Sequence, residues 1–340
     1  MAKCLRGRAK IQRPRPAKPL WGYENEADPI AVARKIDAAL VADVNVFVYD
    51  WYWYQSRPFL EGALNEGFLK APNNERMKFF LMWANHDVNN VWNNKISGSE
   101  NYRTLWNADV SYDEFTKVLV PRFINYFKKP NYYKVGNKPL FALYLPKVFV
   151  RGMGSPETSK KAIEYFRAEA KKAGFDDIYL IFRYREGLNK VPIAGKEKAT
   201  ISEIMSYYTA QGAFNYNMLY KKHDYDEWTD LVIKENDKIK EEVGVYFPTV
   251  STGWDNNPRF PACQFTEIVK GKNPLSYEKH LRATKKWLDR NIPEGLPKLV
   301  FINAWNEWTE GEFLEPDATY GYGFLNATAR VFGGSGQAKE

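Results

Sequence analysis

The chain has 340 residues, of which 44% are hydrophobic and 26% are charged, and its formal net charge is +8. No run of about 18 apolar residues occurs, which argues against a transmembrane helix. The two cysteines, Cys4 and Cys263, are too few for a disulfide framework, and with three scattered histidines they do not predict a metal site. Aromatic residues make up 16% of the chain, and the flat rings of Trp and Tyr suit sugars because they combine an apolar face with a hydrogen-bond donor.

Concentrated positive charge lies between Lys3 and Lys18. Such a run is able to contact nucleic acid or an acidic glycan, but a solvated tail is the simpler interpretation, and we assign residues 1–18 to a basic tail. No apolar segment typical of a signal peptide follows Met1. This predicts a cytoplasmic protein if Met1 is the true start, and a periplasmic or secreted protein otherwise.

The first predicted elements alternate between helix and strand. Asp28 and Pro29 begin a helix, because a capping side chain is followed by a proline at the first helical position. An apolar run at 44–50 is typical of a buried strand. A second helix is predicted at 59–69 and a second strand at 78–83.

The same alternation continues through the middle of the chain. Ser111 and Glu114 have the spacing of a capping box, which predicts a helix at 111–127. A strand at 139–145 comes next, and a helix follows at 155–174, where a serine and a proline mark its start and a glycine marks its end. The remaining predicted elements are strands at 178–182, 204–207, 245–250 and 299–304 and helices at 225–243 and 276–291.

Strands that alternate with helices predict a parallel sheet covered by helices. We therefore expect an α/β fold, a (β/α)8 barrel of the TIM type, in a single catalytic domain over residues 19–332, with a flexible tail at 333–340. The pattern yields seven strands, so the first strand of the barrel is apparently missing from this chain. An incomplete barrel would have exposed strand edges through which it could pair, and the oligomeric state stays open.

In barrels of this type the active site lies at the C-terminal ends of the strands. Nearly every predicted strand end carries an aromatic ring beside an amide, a carboxylate or an arginine. The candidate substrate-binding residues are Asp50, Trp51, Tyr52, Trp53 and Tyr54; Trp83, Asn85, His86 and Asp87; Tyr207; Trp254, Asp255 and Arg259; and Asn303, Trp305 and Asn306. Two of them have structural alternatives, since Asp50 could cap a helix or pair with a buried arginine and a lone histidine such as His86 is often a structural group.

Glu307 and Glu310 are the candidate catalytic residues. Cleavage of a glycosidic bond usually needs two carboxyl groups, one of which donates a proton to the leaving oxygen. The two glutamates lie three residues apart directly after the last predicted strand, and burial beside the neighbouring tryptophans would favour a protonated carboxyl group. A Glu-x-x-Glu pair alone is commonly a solvated helix face, so the prediction depends on this position at the strand end.

With these residues in view, the chain resembles the WbsX-like family, which is allied to family 99 glycoside hydrolases. The motifs that carry the resemblance are Pro19-Leu20-Trp21-Gly22-Tyr23, Asp50-Trp51-Tyr52-Trp53-Tyr54, Trp83-Ala84-Asn85-His86, Gly253-Trp254-Asp255-Asn256, and Asn303-Ala304-Trp305-Asn306-Glu307-Trp308-Thr309-Glu310-Gly311. The resemblance implies a (β/α)8 barrel that hydrolyses glycosides with retention of configuration, using the substrate's own 2-hydroxyl group. It implies that Glu307 is the base for that hydroxyl and Glu310 the acid for the leaving group, and it implies no metal or organic cofactor.

Two other functions compete with a glycoside hydrolase. The WbsX name suggests a glycosyltransferase of surface-polysaccharide synthesis, although the sequence has no glycine-rich phosphate loop and no Asp-x-Asp metal pair. A carbohydrate-binding barrel without catalysis is the second alternative. Nucleic acid is not an expected partner, because the basic residues do not interleave with the aromatic residues on one element. The expected partner is an oligo- or polysaccharide whose sugar, linkage and mode of cleavage stay open.

Overall fold

A computed structural model describes residues 17–90, 103–184, 187–217, 224–259 and 268–333. Most of the predicted basic tail, both cysteines and residues 334–340 of the predicted C-terminal tail lie outside the described residues. Within the described ranges, no helix is both long enough and apolar enough to cross a membrane.

The described strands are short, as expected for an α/β sheet. They are β1 (Val46–Tyr54), β2 (Arg57–Phe59), β3 (Lys78–Trp83), β4 (Val88–Asn89), β5 (Thr104–Trp106), β6 (Lys134–Val135), β7 (Lys138–Leu143), β8 (Tyr179–Arg183), β9 (Gly212–Phe214), β10 (Tyr246–Phe247), β11 (Thr249–Ser251), β12 (Phe301–Asn303), β13 (Asn306–Glu307) and β14 (Glu312–Phe313).

The described helices precede, separate and follow these strands along the chain. They are α1 (Pro29–Val41), α2 (Tyr112–Glu114), α3 (Val120–Phe127), α4 (Pro146–Met153), α5 (Pro156–Lys172), α6 (Ile201–Tyr207), α7 (Tyr225–Val243), α8 (Pro274–Asn291) and α9 (Gly323–Phe332). A π-helical turn at Phe115–Leu119 joins α2 to α3.

The parallel sheet follows the predicted alternation. Its order is β10-β9-β8-β7-β3-β1, and every neighbouring pair is parallel. β11 pairs in parallel with β12, and Pro248 separates it from β10. Because parallel strands point in one direction, their carboxyl ends lie at the same edge and bring the loops that follow them together.

Several predicted boundaries are confirmed, because local signals specify them. The Asp28 carboxylate accepts a hydrogen bond from the Ile30 amide at 2.9 Å and begins α1. Ser155 caps α5 in the same way, and Gly174 follows that helix with a φ of 95°, which glycine adopts at little cost. The predicted bounds of α7 and β3 match the observed ones.

Two predicted elements are wrong. Residues 204–207 belong to α6, because Thr200 and Glu203 form a reciprocal capping box that starts a helix there, and the strand of this region is β9. The predicted helix at 59–69 is replaced by β2, which folds back on β1, and by a π-helical turn at Ala63–Gly67 with a 3-10 turn at Phe68–Lys70.

Two predicted helix starts also differ in detail. Asn273 caps α8, and Ser276 is the reciprocal residue inside its first turn. Ser111 accepts a hydrogen bond from the Glu114 amide at 3.2 Å, as a capping box requires. The Glu114 carboxylate instead accepts from the indole of Trp53 at 2.8 Å, so it ties the helix to β1.

A cavity of about 590 Å³ lies between β1 and β12, the first and last of the parallel strands along the chain. Apolar side chains such as Val46, Val48 and Phe301 line part of it. Asp50 and Glu307 also line it, so the cavity reaches the carboxyl ends of the strands.

Candidate active site

Both candidate catalytic residues lie on a short hairpin that follows β12. Glu307 ends β13, a 3-10 turn covers Trp308–Glu310, and Glu312 begins β14 opposite Glu307. Gly311 has a φ of 66°, and a β-carbon there would lie 2.9 Å from the amide nitrogen of Asp255. Glycine is therefore required at this position both for the turn and for the close approach of the neighbouring loop.

Arg259 holds the two glutamates together. Its Nη1 lies 2.7 Å from Oε1 of Glu310 and its Nη2 lies 3.0 Å from Oε1 of Glu307. Its Nε donates to Thr309 Oγ1 at 2.8 Å, and that hydroxyl donates to Glu307 at 2.9 Å. The side chains of Glu307 and Glu310 stay 31% and 15% exposed, so both are accessible from solvent. One planar guanidinium thus orients both carboxylates.

Asp50 is a third acid at this site. It lies in β1 and lines the same cavity as Glu307. Burial and the nearby charge of Glu307 raise its pKa to about 7, although hydrogen bonds with Tyr216 and Tyr52 and the charge of Arg183 act in the opposite direction. A carboxyl group with a pKa near 7 in a cavity is typical of functional sites.

Aromatic rings continue from Asp50 along one side of the site. The ring centroid of His86 lies 5.8 Å from that of Tyr52 and 5.6 Å from that of Tyr144. Tyr144 packs edge-on against Tyr216 at 5.6 Å, and the guanidinium carbon of Arg183 lies 3.9 Å from the Tyr144 ring centroid. These half-buried rings form a surface suited to the apolar face of a sugar.

Other predicted substrate-binding residues of β1 face the core instead. Trp51 is 2% exposed and donates to Glu61 at 2.7 Å, and Trp53 is 5% exposed and donates to Glu114. Side chains alternate between the two faces of a strand, and β1 extends through residue 54. Asp50 and Tyr52 therefore lie on the face of β1 that lines the cavity. Trp51 and Trp53 lie on the opposite face, in the core.

Tyr54, Trp83 and Asn85 are buried as well. The Tyr54 hydroxyl donates to the backbone carbonyl of His86 at 2.9 Å. Trp83 stacks on Phe115 with ring centroids 5.8 Å apart. The Asn85 amide exchanges two hydrogen bonds with the backbone of Leu145, so it joins the ends of β3 and β7.

Asp87, Tyr207 and Asn306 are held by contacts with other elements. Asp87 forms an ion pair with Arg151 at 2.6 Å. Tyr207 lies on α6, where the ammonium of Lys160 sits 5.0 Å from its ring centroid. Asn306 lines the cavity and donates to Glu26 at 3.2 Å.

The last four predicted residues surround the hairpin. The backbone amide of Asp255 donates to the carbonyl of Glu310 at 2.7 Å, and the preceding Trp254 is 7% exposed. Trp305 lines the cavity and packs against Phe47 at 5.2 Å. Asn303, 4% exposed, lies beneath the hairpin beside Glu312.

The sequence analysis did not include Tyr144, Arg183, Tyr216 or Glu312 among the candidate site residues. Tyr144 and Arg183 follow β7 and end β8, so the rule that selected the other candidates also applies to them. Tyr216 follows β9, a strand that was predicted at the wrong place. Among the described residues, no three His, Cys, Asp or Glu side chains are arranged to hold a metal ion.

The amino-acid sequence matches one protein family and two curated relatives over most of its length. The family model described as Glycosyltransferase WbsX matches residues 11–328. Two proteins described as uncharacterized protein WxcX, from two strains of Xanthomonas campestris pv. campestris, are each 26% identical over 323 residues. The match covers 91% of this chain and 42% of each relative, so the chain spans about two fifths of the length of the curated relatives it matches.

Comparison with solved structures shows the fold. A glycoside hydrolase-like protein has a TM-score of 0.64 at 15% identity, with 95% of this chain and 91% of that chain covered. The GH99 endo-alpha-mannosidase from Bacteroides thetaiotaomicron has a TM-score of 0.55 at 13% identity, with 93% of this chain and 82% of that chain covered. The chain therefore has a mixed α/β fold like that of these glycoside hydrolases.

Proposed function

This chain belongs to the Glycosyltransferase WbsX family, and we propose that it is a glycoside hydrolase that cleaves an oligo- or polysaccharide with retention of configuration. One observation carries the proposal. Glu307 and Glu310 share the guanidinium of Arg259 on a short hairpin, and Glu307 also lines a cavity with Asp50. Paired carboxyl groups beside a cavity are the arrangement that glycosidic cleavage uses.

The proposed reaction has two steps. In the first, Glu307 takes the proton of the sugar 2-hydroxyl group, and the oxygen attacks the anomeric carbon while the bond to the leaving oxygen breaks. Glu310 gives its proton to that leaving oxygen. In the second, Glu310 takes a proton from water, and the water oxygen bonds to the anomeric carbon as the bond between that carbon and the 2-oxygen breaks. The 2-oxygen recovers its proton from Glu307. Each proton is returned, so both residues end the cycle as they began.

Arg259 has a specific part in this scheme. It donates to both carboxylates, but Glu310 has to face the leaving oxygen to act as the acid. We propose that the contact between Arg259 and Glu310 loosens when substrate fills the cavity. The contact with Glu307 and Thr309 then keeps the hairpin oriented.

The proposed site needs a closed scaffold. We propose that residues 19–332 form one catalytic domain in which the parallel strands curl into a barrel of the (β/α)8 type. The cavity lined by both β1 and β12 and the likeness to glycoside hydrolases support this arrangement.

A glycosyltransferase is the second candidate, because the matching family carries that name. It would use the same carboxylates on a sugar linked to a nucleotide or a lipid and would pass the sugar to a hydroxyl group other than water. A barrel that binds carbohydrate without cleaving it is the third candidate.

The deciding experiment measures the release of reducing ends from α-mannans and from other microbial, algal and plant glycans. Wild type is compared with Glu307→Gln and Glu310→Gln, and Glu66→Gln serves as a control because Glu66 is exposed and pairs with Lys70 on the surface. We expect release by wild type and the control, and a loss of roughly 1,000-fold in both site variants, as when a central catalytic group is removed.

The other outcomes separate the candidates. Release of reducing ends that persists in both site variants would contradict the assignment of Glu307 and Glu310 as the catalytic pair. No release, together with sugar transfer from a nucleotide- or lipid-linked donor to an acceptor, would identify a transferase. Binding of a glycan without either reaction, in a folded protein, would identify the non-catalytic barrel.

A further inference from the structure

Glu312 is a third carboxyl group on the hairpin that carries Glu307 and Glu310. It is 0% exposed, and it is the residue directly opposite Glu307 in the β13–β14 pair. Opposite residues of an antiparallel pair direct their side chains to the same face. Glu312 therefore lies beside Glu307 on the same face of the hairpin.

Polar groups at the ends of two core strands surround this carboxyl group. When the Asn303 amide is oriented so that its atoms have partners, its nitrogen donates to Oε1 of Glu312 at 2.7 Å. The Ser251 hydroxyl also hydrogen-bonds with Glu312. Asn303 of β12 and Ser251 of β11 are paired with each other in the parallel sheet. Glu312 thus joins the hairpin to the sheet below it.

The charged groups that face Glu312 are Glu310, Glu307 and Lys272. The ammonium of Lys272 donates to the carbonyl of Gly311 at 2.8 Å and lies 4.0 Å from the Phe313 ring centroid. Burial, followed by the negative charge of Glu310, raises the pKa of Glu312 well above its usual range. Lys272 acts against this, but burial lowers its own pKa to about 8.

We propose that Glu312 is a positioning residue, a buried neutral acid that anchors the hairpin to Asn303 and Ser251. An ionised Glu312 would place a third negative charge beside the two glutamates that share one guanidinium, and the hairpin would shift to reduce the repulsion. The neutral form has the size and the hydrogen bonds to hold Glu307 and Glu310 in place without that repulsion. The effect on turnover rests on the proposed hydrolase function, whereas the neutral state and the anchoring do not.

The test uses Glu312→Gln, which has the same shape and cannot ionise, and Glu312→Ala, which removes the anchor. Glu61→Gln is the matched control, because the Glu61 side chain is also mostly buried, at 8% exposed, but its hydrogen bonds with Arg122, Trp51 and Tyr126 outweigh burial and lower its pKa. We expect Glu312→Gln to be more heat-stable than wild type, by a margin that grows as the pH rises from 5, while Glu61→Gln is less stable at neutral pH. An infrared band of a protonated carboxyl group in wild type should vanish in Glu312→Gln.

The kinetic part separates positioning from a simple loss of structure. Glu312→Ala should lose about 100-fold in kcat with little change in KM, as expected for misplaced catalytic groups, and Glu312→Gln should recover most of it.

Two results would overturn the proposal. One is a Glu312→Gln variant that is less stable than wild type at every pH, because Glu312 would then be ionised in the folded protein. The other is an unchanged protonated-carboxyl band in that variant. Both can be read without any turnover, so a failure of the hydrolase proposal would not be mistaken for a failure of this one.

Discussion

Two clusters of carboxylate and guanidinium groups use the same residue types in different ways. Glu61 accepts hydrogen bonds from Trp51, Tyr126 and Asn65 at 2.7 to 3.0 Å and from Arg122 at 2.9 Å, and its side chain is 8% exposed. In the hairpin, Glu307 and Glu310 share one arginine and stay open to solvent.

The difference separates a structural carboxylate from a candidate catalytic one. Burial alone would raise the pKa of Glu61, but the hydrogen bonds from Arg122, Trp51 and Tyr126 outweigh it and lower that pKa. A carboxylate saturated with donors has no site left for a substrate. The hairpin carboxylates share one arginine and keep 31% and 15% of their side-chain surface exposed, so they are able to contact a substrate.

The largest expected effect on stability is at Glu61. Glu61→Ala should lower the free energy of unfolding by about 3 kcal/mol, because it leaves Arg122 and the buried Trp51 indole without their partner. Chemical denaturation of this variant beside Glu307→Gln and Glu310→Gln measures the contrast. Equal losses in all three variants would mean that the hairpin carboxylates are structural as well.

A second structural group, the buried imidazole of His280, should make the free energy of unfolding depend on pH. His280 is 0% exposed, and burial lowers its pKa to about 3, whereas an unfolded histidine titrates near 6.5. Above pH 6.5 both states are neutral and the full stability is present. As the pH falls from 6.5 towards 3, the unfolded state binds a proton that the folded state does not, so stability is lost, by about 2 kcal/mol at pH 5.

Denaturation curves at pH 7 and pH 5 check this prediction. His280→Leu should show a smaller loss than wild type between the two pH values, since it removes the group that titrates. The same loss in both proteins would assign the acid sensitivity to other groups.

In the candidate active site, Asp50 should control the pH profile of activity. Because its pKa is about 7, Asp50 loses its proton as the pH rises through neutrality. If the neutral form donates a hydrogen bond to a sugar hydroxyl, wild-type activity should fall roughly tenfold per pH unit above 7. Asp50→Asn, which stays neutral, should keep its activity to higher pH. An Asp50→Asn variant that is folded but inactive at every pH would show that the ionised form is the functional one.

The smallest expected effect is at Arg259. A lysine has one ammonium group and does not match the bidentate geometry that contacts both glutamates. Arg259→Lys should therefore lower kcat by about tenfold through loss of orientation, with unchanged thermal stability. Steady-state kinetics and a melting curve measure both. Wild-type kcat in this variant would show that bridging the two carboxylates is unnecessary.

Much of the fold was predictable because its signals are local. Asp28 and Pro29 specify the start of α1, and the apolar run of β3 matches the observed strand. The strand predicted at 204–207 failed because a stretch of four residues, of which three are apolar or aromatic, does not distinguish a strand from a helix. The capping pair Thr200 and Glu203 was overlooked.

The candidate site was predictable in part, for a similar reason. A strand that continues to Tyr54 places alternate side chains on opposite faces, so Asp50 and Tyr52 separate from Trp51 and Trp53. Reading that alternation beyond residue 50 would have assigned the tryptophans to the core. Nothing near Glu61 in the sequence indicates its role, because its donors Arg122 and Tyr126 lie more than 60 residues away.

The sequence by itself determined most of the order of helices and strands, the family, and the position of Glu307 and Glu310 after the last parallel strand, because capping residues, apolar runs and short motifs act over a few neighbouring positions. Only the tertiary structure decided which polar groups meet. Arg259 reaches the hairpin from 48 residues away in the chain, and Glu312 lies against Asn303 and Ser251 from two separate strands. Burial and charge in such contacts come from residues distant in sequence, so the ionisation of Asp50 and Glu312 is a property of the folded chain.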